Sequence, residues 1–177
     1  MKDLLLFRHA KAEEAGPGGG DIDRPLSLRG RKSAQRMAEH MAQDGVRHDL
    51  ILCSAALRTR QTLAALLEVY GAQAAVAIEP GLYLADVRQL AARLRAAPDH
   101  ARSVLIIGHN PGLHELAIDL AERDRLRDAP TKARLARKFA TAALARFELR
   151  LDTWAKFSPS PAAGAVRLSA YTTPADL

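Results

Sequence analysis

The sequence predicts an α/β protein in which a mostly parallel sheet carries helices on both of its faces. Two observations lead to that expectation. Short apolar runs alternate with segments whose apolar residues recur at helical spacing, in the order strand, helix, strand, helix, strand, helix, strand, helix, and then strands. Two of the runs, 50–53 and 104–107, are apolar without interruption, as expected of strands covered on both faces.

The first run, LLLF at 4–7, leads directly into Arg8 and His9. The loop GPGGGD at 16–21 lacks the spaced Gly-Lys-Ser/Thr ending of a phosphate cradle and does not lead from a strand into a helix, so it reads as a flexible connection. Ala34, Met37, Ala38, Met41 and Ala42 form one apolar helix face. Ser27 is placed to cap that helix, and Gly30 weakens its first turn. After the strand at 50–53, Leu63, Leu66, Leu67 and Tyr70 repeat the helical spacing, and Gly71 stops it. A third strand at 75–78 precedes a helix built on Val87, Leu90, Ala91 and Leu94, which ends before Pro98. The strand at 104–107 precedes a helix of Leu113, Leu116, Ala117 and Leu120, with Pro111 in its first turn and Asn110 as its cap. The charge-rich stretch 123–138 reads as a solvated loop and helix face. The last strands are 144–151, whose alternation places it half exposed and nearer an edge, and 166–171. No linker or repeat interrupts the pattern, so residues 1–177 read as one domain.

Composition narrows the function. Hydrophobic residues make up 48% of the 177, which suits a packed core rather than a disordered chain. No apolar run approaches the ~20 residues that span a bilayer. The start of the chain does not read as a signal peptide, because only four apolar residues separate Asp3 from Arg8. Cys53 is the only cysteine, so no internal disulfide can form; it reads as a small buried residue. The expected address is the cytoplasm, with no membrane partner. A formal net charge of +6 favours anionic partners, while 5% aromatics is poor material for stacking bases, so nucleic acid is not expected.

In open α/β sheets, ligands bind outside the carboxyl ends of the parallel strands. Three polar clusters fall at such ends: Arg8-His9 after the first strand, Ser54 with Arg58 a turn beyond the second, and His109 in GHNPG after the fourth. Parallel strands would bring all three to one edge. Arg8 and His9 are adjacent and would face opposite ways in a regular strand, so a shared pocket requires the chain to leave strand geometry there. Arginine forks match phosphate oxygens. A neutral imidazole between them is a competent nucleophile, kept unprotonated by nearby positive charge. A second histidine can donate to oxygens that gain charge. Each cluster alone would be unremarkable; their joint placement points to phosphoryl transfer through a phosphohistidine. A metal site of His9, His109 and His114 is the rival, but its spacing fits no zinc pattern and two arginines would repel a cation. His40, His48 and His100 are given no role, and Trp154 is read as packing.

The blocks FRHA, SAALRTRQT and IGHNPG, with RPLSLRG, KFATAAL and the tail YTTPADL, resemble the histidine phosphatase superfamily, the phosphoglycerate-mutase-like fold, and within it the SixA-type phosphohistidine phosphatases. Ala10 stands where the first block usually has glycine. The resemblance implies a three-layer sandwich with a mixed, mainly parallel sheet. It implies His9 as nucleophile, Arg8, Arg58 and His109 as phosphate-pocket residues, Arg24 at the rim, and no metal or organic cofactor. Mutases and many phosphomonoesterases of the superfamily carry a glutamate acid after the third strand. Here Leu84 takes the matching place, with Glu79 and Asp86 nearby. The expected function is a metal-independent phosphohydrolase, with protein phosphohistidine as favoured substrate. A small-molecule phosphomonoesterase acting on a sugar or nucleotide phosphate is the alternative. A binding module that docks phosphoproteins or other anions without turnover is the reading from another class.

Overall fold

A computed structural model describes residues 1–71, 73–125 and 129–177. Side chains along a strand point alternately to opposite faces, and here both faces are apolar. In β1 (Lys2–Arg8), Leu5 and Phe7 enter one core together with Ile51, Cys53, Leu105 and Ile107. Leu4 and Leu6 enter the other with Leu50, Leu52, Val104 and Ile106. Those partners come from β2 (Leu50–Ser54) and β4 (Ser103–Gly108), every residue of which is buried. This is the physical meaning of their uninterrupted apolar runs.

The sheet is completed by β3 (Ala75–Glu79), β5 (Leu144–Leu149) and β6 (Val166–Thr172), and its six strands run in the order β3-β2-β4-β1-β5-β6. The first four strands are parallel; β5 is antiparallel to β1, and β6 to β5. Helices α1 (Leu28–Gln43) and α2 (Leu57–Tyr70) cover the first core. Helices α3 (Val87–Arg95), α4 (Gly112–Arg123) and α5 (Ala129–Arg137) cover the second. The result is the three-layer α/β sandwich with a mixed, mainly parallel sheet that the sequence predicted. No helix among the described residues is long and apolar enough to cross a membrane.

Several local expectations change. The fifth strand stops at Leu149 and lies one position in from the edge strand β6, with Arg146 and Glu148 half-buried. Part of the charge-rich stretch 123–138 is the helix α5, which buries Leu135; residues 126–128 lie outside the described residues. Asn110 does not cap α4. Pro111 holds the capping position in helical conformation without a side-chain bond, and the Asn110 side chain instead donates from Nδ2 to the Phe139 carbonyl at 3.1 Å. Ser27 does cap α1, accepting from the Gly30 amide at 3.0 Å.

Gly30 has a further reason to be glycine. A Cβ there would lie 2.0 Å from the Lys11 carbonyl oxygen, closer than any side chain permits. Gly112 is the same case at the start of α4, where a Cβ would meet the Ala85 carbonyl oxygen at 2.0 Å. Both glycines let a helix press against the backbone of a loop on the functional edge.

Candidate active site

Because β1, β2 and β4 are parallel, their carboxyl ends share one edge, and Phe7↔Ile107 and Cys53↔Ile107 are in register. β1 ends at Arg8, and His9 lies outside the strand. Its amide donates to the Gly108 carbonyl at 3.1 Å, and its carbonyl accepts from Ala142 at 3.1 Å. A departure from strand geometry between these neighbours is what a shared pocket for Arg8 and His9 requires. Arg8 follows Leu4 and Leu6 toward the second core, where Nη1 donates to the Phe139 carbonyl at 2.8 Å; its buried Nε has no partner.

His9 is buried, and its Nδ1 lies 2.7 Å from the Ala10 carbonyl. A carbonyl can only accept, so Nδ1 carries the proton and Nε2 presents a lone pair. The Ala10 amide in turn donates to Thr62 Oγ1 at 3.1 Å, fixing the residue that orients the ring. The His109 ring stands 5.1 Å from the His9 ring, centroid to centroid. Its Nε2 is 2.8 Å from Ser54 Oγ, and its Nδ1 is 3.3 Å from Arg58 Nη2. Arginine only donates, so Nδ1 accepts and Nε2–H donates to Ser54. Arg58 itself is buried in the first turn of α2. The structure therefore brings Arg8, His9, Arg58 and His109 together at one edge.

Burial, reinforced by the surrounding cations, keeps both imidazoles neutral. The His9 pKa is lowered to about 4, first by desolvation and then by Arg58, Arg8 and Arg24, against the pull of the Ala10 carbonyl. The His109 pKa is lowered to about 3, again chiefly by desolvation, with the charges of His9 and Arg58 next. These shifts make stability depend on pH. As pH falls through 6.5, unfolded imidazoles take protons that the folded ones refuse, so the unfolded state binds more protons and stability falls. The loss begins near pH 6.5 and is complete only below about pH 4 for His9 and about pH 3 for His109. At pH 5 it should amount to about 2 kcal/mol for each histidine. Urea midpoints at pH 7.5 and pH 5.0 should show this drop, and His109→Gln should lose about half of it. A midpoint independent of pH over this window would show that the two rings titrate normally.

Arg24 is tied beside the site through Asp21 and Glu13. Its Nη1 donates to Asp21 Oδ1 at 2.9 Å, and its Nε to the Glu13 carbonyl at 2.7 Å. Asp21 also accepts from Arg58 Nη2 at 2.9 Å and from the Tyr83 hydroxyl at 2.5 Å. Tyr83 stands edge-on to the His109 ring, with centroids 5.5 Å apart, and Arg58 lies 5.8 Å from the centre of the Tyr83 ring. The Asp21 carboxyl is held well below the usual carboxylate range, first by the Tyr83 hydroxyl and then by the arginines. It is ionised at any working pH. Its one signal in the sequence was its place three residues before Arg24.

The candidate acids are engaged elsewhere. Glu79 receives Arg93 Nε on both carboxylate oxygens, at 2.6 and 2.7 Å. Asp86 caps α3 in a reciprocal box with Gln89. Leu84, in the place of the superfamily's glutamate, is half exposed with φ of +50°. The rival metal site does not assemble: His114 Nε2 turns to the Leu135 carbonyl at 2.7 Å, and among the described residues no three His, Cys, Asp or Glu side chains gather to hold an ion. Cys53 is buried and its thiol is pushed up to about 12 by desolvation; Trp154 is buried with its indole N–H on the Ala101 carbonyl.

The model of the histidine phosphatase superfamily (branch 1) matches residues 4–86. A protein of Mycobacterium tuberculosis without an assigned function is 34% identical over 158 residues, 89% of this chain and 95% of its own. Among solved structures, provisionally named phosphohistidine phosphatases SixA give TM-scores of 0.79 (Agrobacterium tumefaciens, 28% identity, 98% of both chains) and 0.81 (Nakamurella multipartita, 30% identity, 98% of this chain and 96% of that one). With these likenesses and a pair of neutral histidines set among arginines at the carboxyl edge, the chain belongs to the histidine phosphatase superfamily and is a phosphatase. Within that superfamily its likeness is to the SixA-type chains.

Proposed function

We propose that this protein hydrolyses phosphohistidine on a protein partner, through a phosphoryl group carried on His9. The observation that supports this most directly is the orientation of His9. With Nδ1–H bound to the Ala10 carbonyl, Nε2 is the free nucleophile, and the arginines that lower its pKa are those that would hold the phosphoryl oxygens. In the first step the Nε2 lone pair forms a bond to phosphorus as the bond to the substrate nitrogen breaks, and the departing imidazole takes a proton from solvent and leaves neutral. In the second step water attacks phosphorus, the P–Nε2 bond breaks, and phosphate and neutral His9 are restored.

His109 is given the role of donor to the oxygens that gain charge. Once a phosphoryl group takes Arg58 Nη2, His109 can exchange protons with solvent to the other tautomer, in which the Ser54 hydroxyl donates to Nε2 and Nδ1–H donates to a phosphoryl oxygen. Arg8 and Arg58 supply the cationic walls, so the residues need no metal for this chemistry. The likeness to SixA-type chains supports the choice of phosphohistidine over small phosphate esters, as does the absence of an uncommitted carboxylate at Glu79 and Asp86. The test is release of phosphate from a histidine-phosphorylated peptide in excess chelator, with vanadate as inhibitor. Release that stops in chelator and returns with a divalent metal would overturn the mechanism.

A further inference from the structure

Arg58 is buried, and both terminal nitrogens of its fork are taken by one loop residue. Nη1 donates to the Asp21 carbonyl at 2.6 Å and Nη2 to Asp21 Oδ2 at 2.9 Å. With Arg24 on Oδ1 and the Tyr83 hydroxyl on Oδ2, the Asp21 carboxylate receives three side-chain donors. Asp21 thus presents to Arg58 two oxygens at the spacing of its fork, one anionic from the carboxylate and one from the main-chain carbonyl, where a phosphoryl group would present two of its own.

The way this carboxylate is held suits a group that leaves. Residues 13–23 are all exposed, and the segment that precedes Asp21 is Gly16-Pro17-Gly18-Gly19-Gly20, with Gly18 at φ of +74°. Both ends of the loop are anchored. Ala12 bridges to Leu26, and the Leu26 amide donates to Gln61 Oε1 at 2.6 Å. Between those anchors, the Asp21 bonds tie the loop to the site.

Resting on the reading of this pocket as a phosphoryl site, we infer that Asp21 is a specificity-determining residue: its carboxylate and main-chain carbonyl occupy the Arg58 fork in the free protein, and the incoming phosphoryl group displaces them. Displacement also frees Arg24 and Tyr83. A substrate with further acceptors beyond its phosphoryl group can engage them, whereas inorganic phosphate leaves Arg24 Nη1 and the Tyr83 hydroxyl without the acceptor that Asp21 gave them. The pocket thereby discriminates against its own product and in favour of phosphoryl groups on larger partners.

The experiment is titration of inorganic phosphate, followed by calorimetry, into the wild type, Asp21→Asn, Asp21→Ala and Arg58→Ala at one pH and ionic strength. Hydrogen exchange is read over residues 13–24 with and without phosphate. Both Asp21 variants should bind phosphate more tightly, by about tenfold or more for alanine, since a charge-assisted contact to Arg58 no longer competes. Exchange over 13–24 in the wild type should rise when phosphate binds. Weaker or unchanged binding in both Asp21 variants, with wild-type binding measurable and lost in Arg58→Ala, would overturn the inference and make Asp21 a residue that merely orders the fork. Slower exchange over 13–24 with phosphate would overturn it equally. If neither the wild type nor either Asp21 variant binds phosphate, the phosphoryl reading falls first and the inference with it.

Discussion

His9→Ala should lower turnover of any phosphorylated substrate by about 10⁴-fold or more, the scale on which loss of a nucleophile is felt. The covalent route needs the Nε2 lone pair, and the neighbouring imidazole does not offer one in the free protein: both nitrogens of His109 are bonded, to Ser54 and to Arg58. The wild type, mixed briefly with a labelled activated phosphate donor, should carry label on the peptide containing His9, labile in acid and stable in alkali. The same substitution separates an enzyme from a binding module, because Arg8 and Arg58 remain and an anion binder would keep much of its affinity. Turnover by His9→Ala near the wild-type rate would remove His9 from the chemistry.

The second large effect concerns the leaving group. An alkyl phosphate must expel a strongly basic alkoxide unless an acid protonates it, and positioned acid catalysis is typically worth about 10²–10⁴ in rate. Phosphohistidine expels an imidazole, whose conjugate acid has a pKa of about 6.5, so it needs little help. Glu79 is committed to Arg93 and Asp86 to the start of α3, and Asp21, an exposed carboxylate, is ionised and has no proton to give. The chemical step should therefore fall steeply from phosphohistidine through aryl to alkyl phosphates, by about 10²–10⁴ across the series. A flat dependence, with chemistry shown to be rate-limiting, would mean that an acid is present and would bring forward the small-molecule reading.

The convergence of Arg8, His9, Arg58 and His109 was legible because each sits at or just past the end of an apolar run, where strand periodicity gives way. Continuous burial of β2 and β4 told which strands were central. Asp21 and Tyr83 were not legible, because neither lies on a periodic segment. Asp21 ends a glycine-rich loop and meets Arg58 only across 37 positions of chain, and Tyr83 lies in the turn that Leu84 bends with its positive φ. Gly30 was readable as a helix weakness but not as a contact, since what it touches, the Lys11 backbone, comes from a separate loop. The Asn110 cap was expected from local preference, and a tertiary partner, the Phe139 carbonyl, claimed its side chain instead.

The strand order has a consequence for how the molecule is made. Of the six strands of the sheet β1 is made first, yet both of its neighbours come late: Asp3 lies opposite Ser103 on one side and Lys2 opposite Leu149 on the other. A growing chain that has not reached β4 holds Leu4–Leu5–Leu6–Phe7 with two open edges, the kind of surface that pairs with other chains. Closing such distant pairs makes for slow assembly. His9 is thus made well before the strands that flank β1, and its surroundings close only once β4 and β5 have been added.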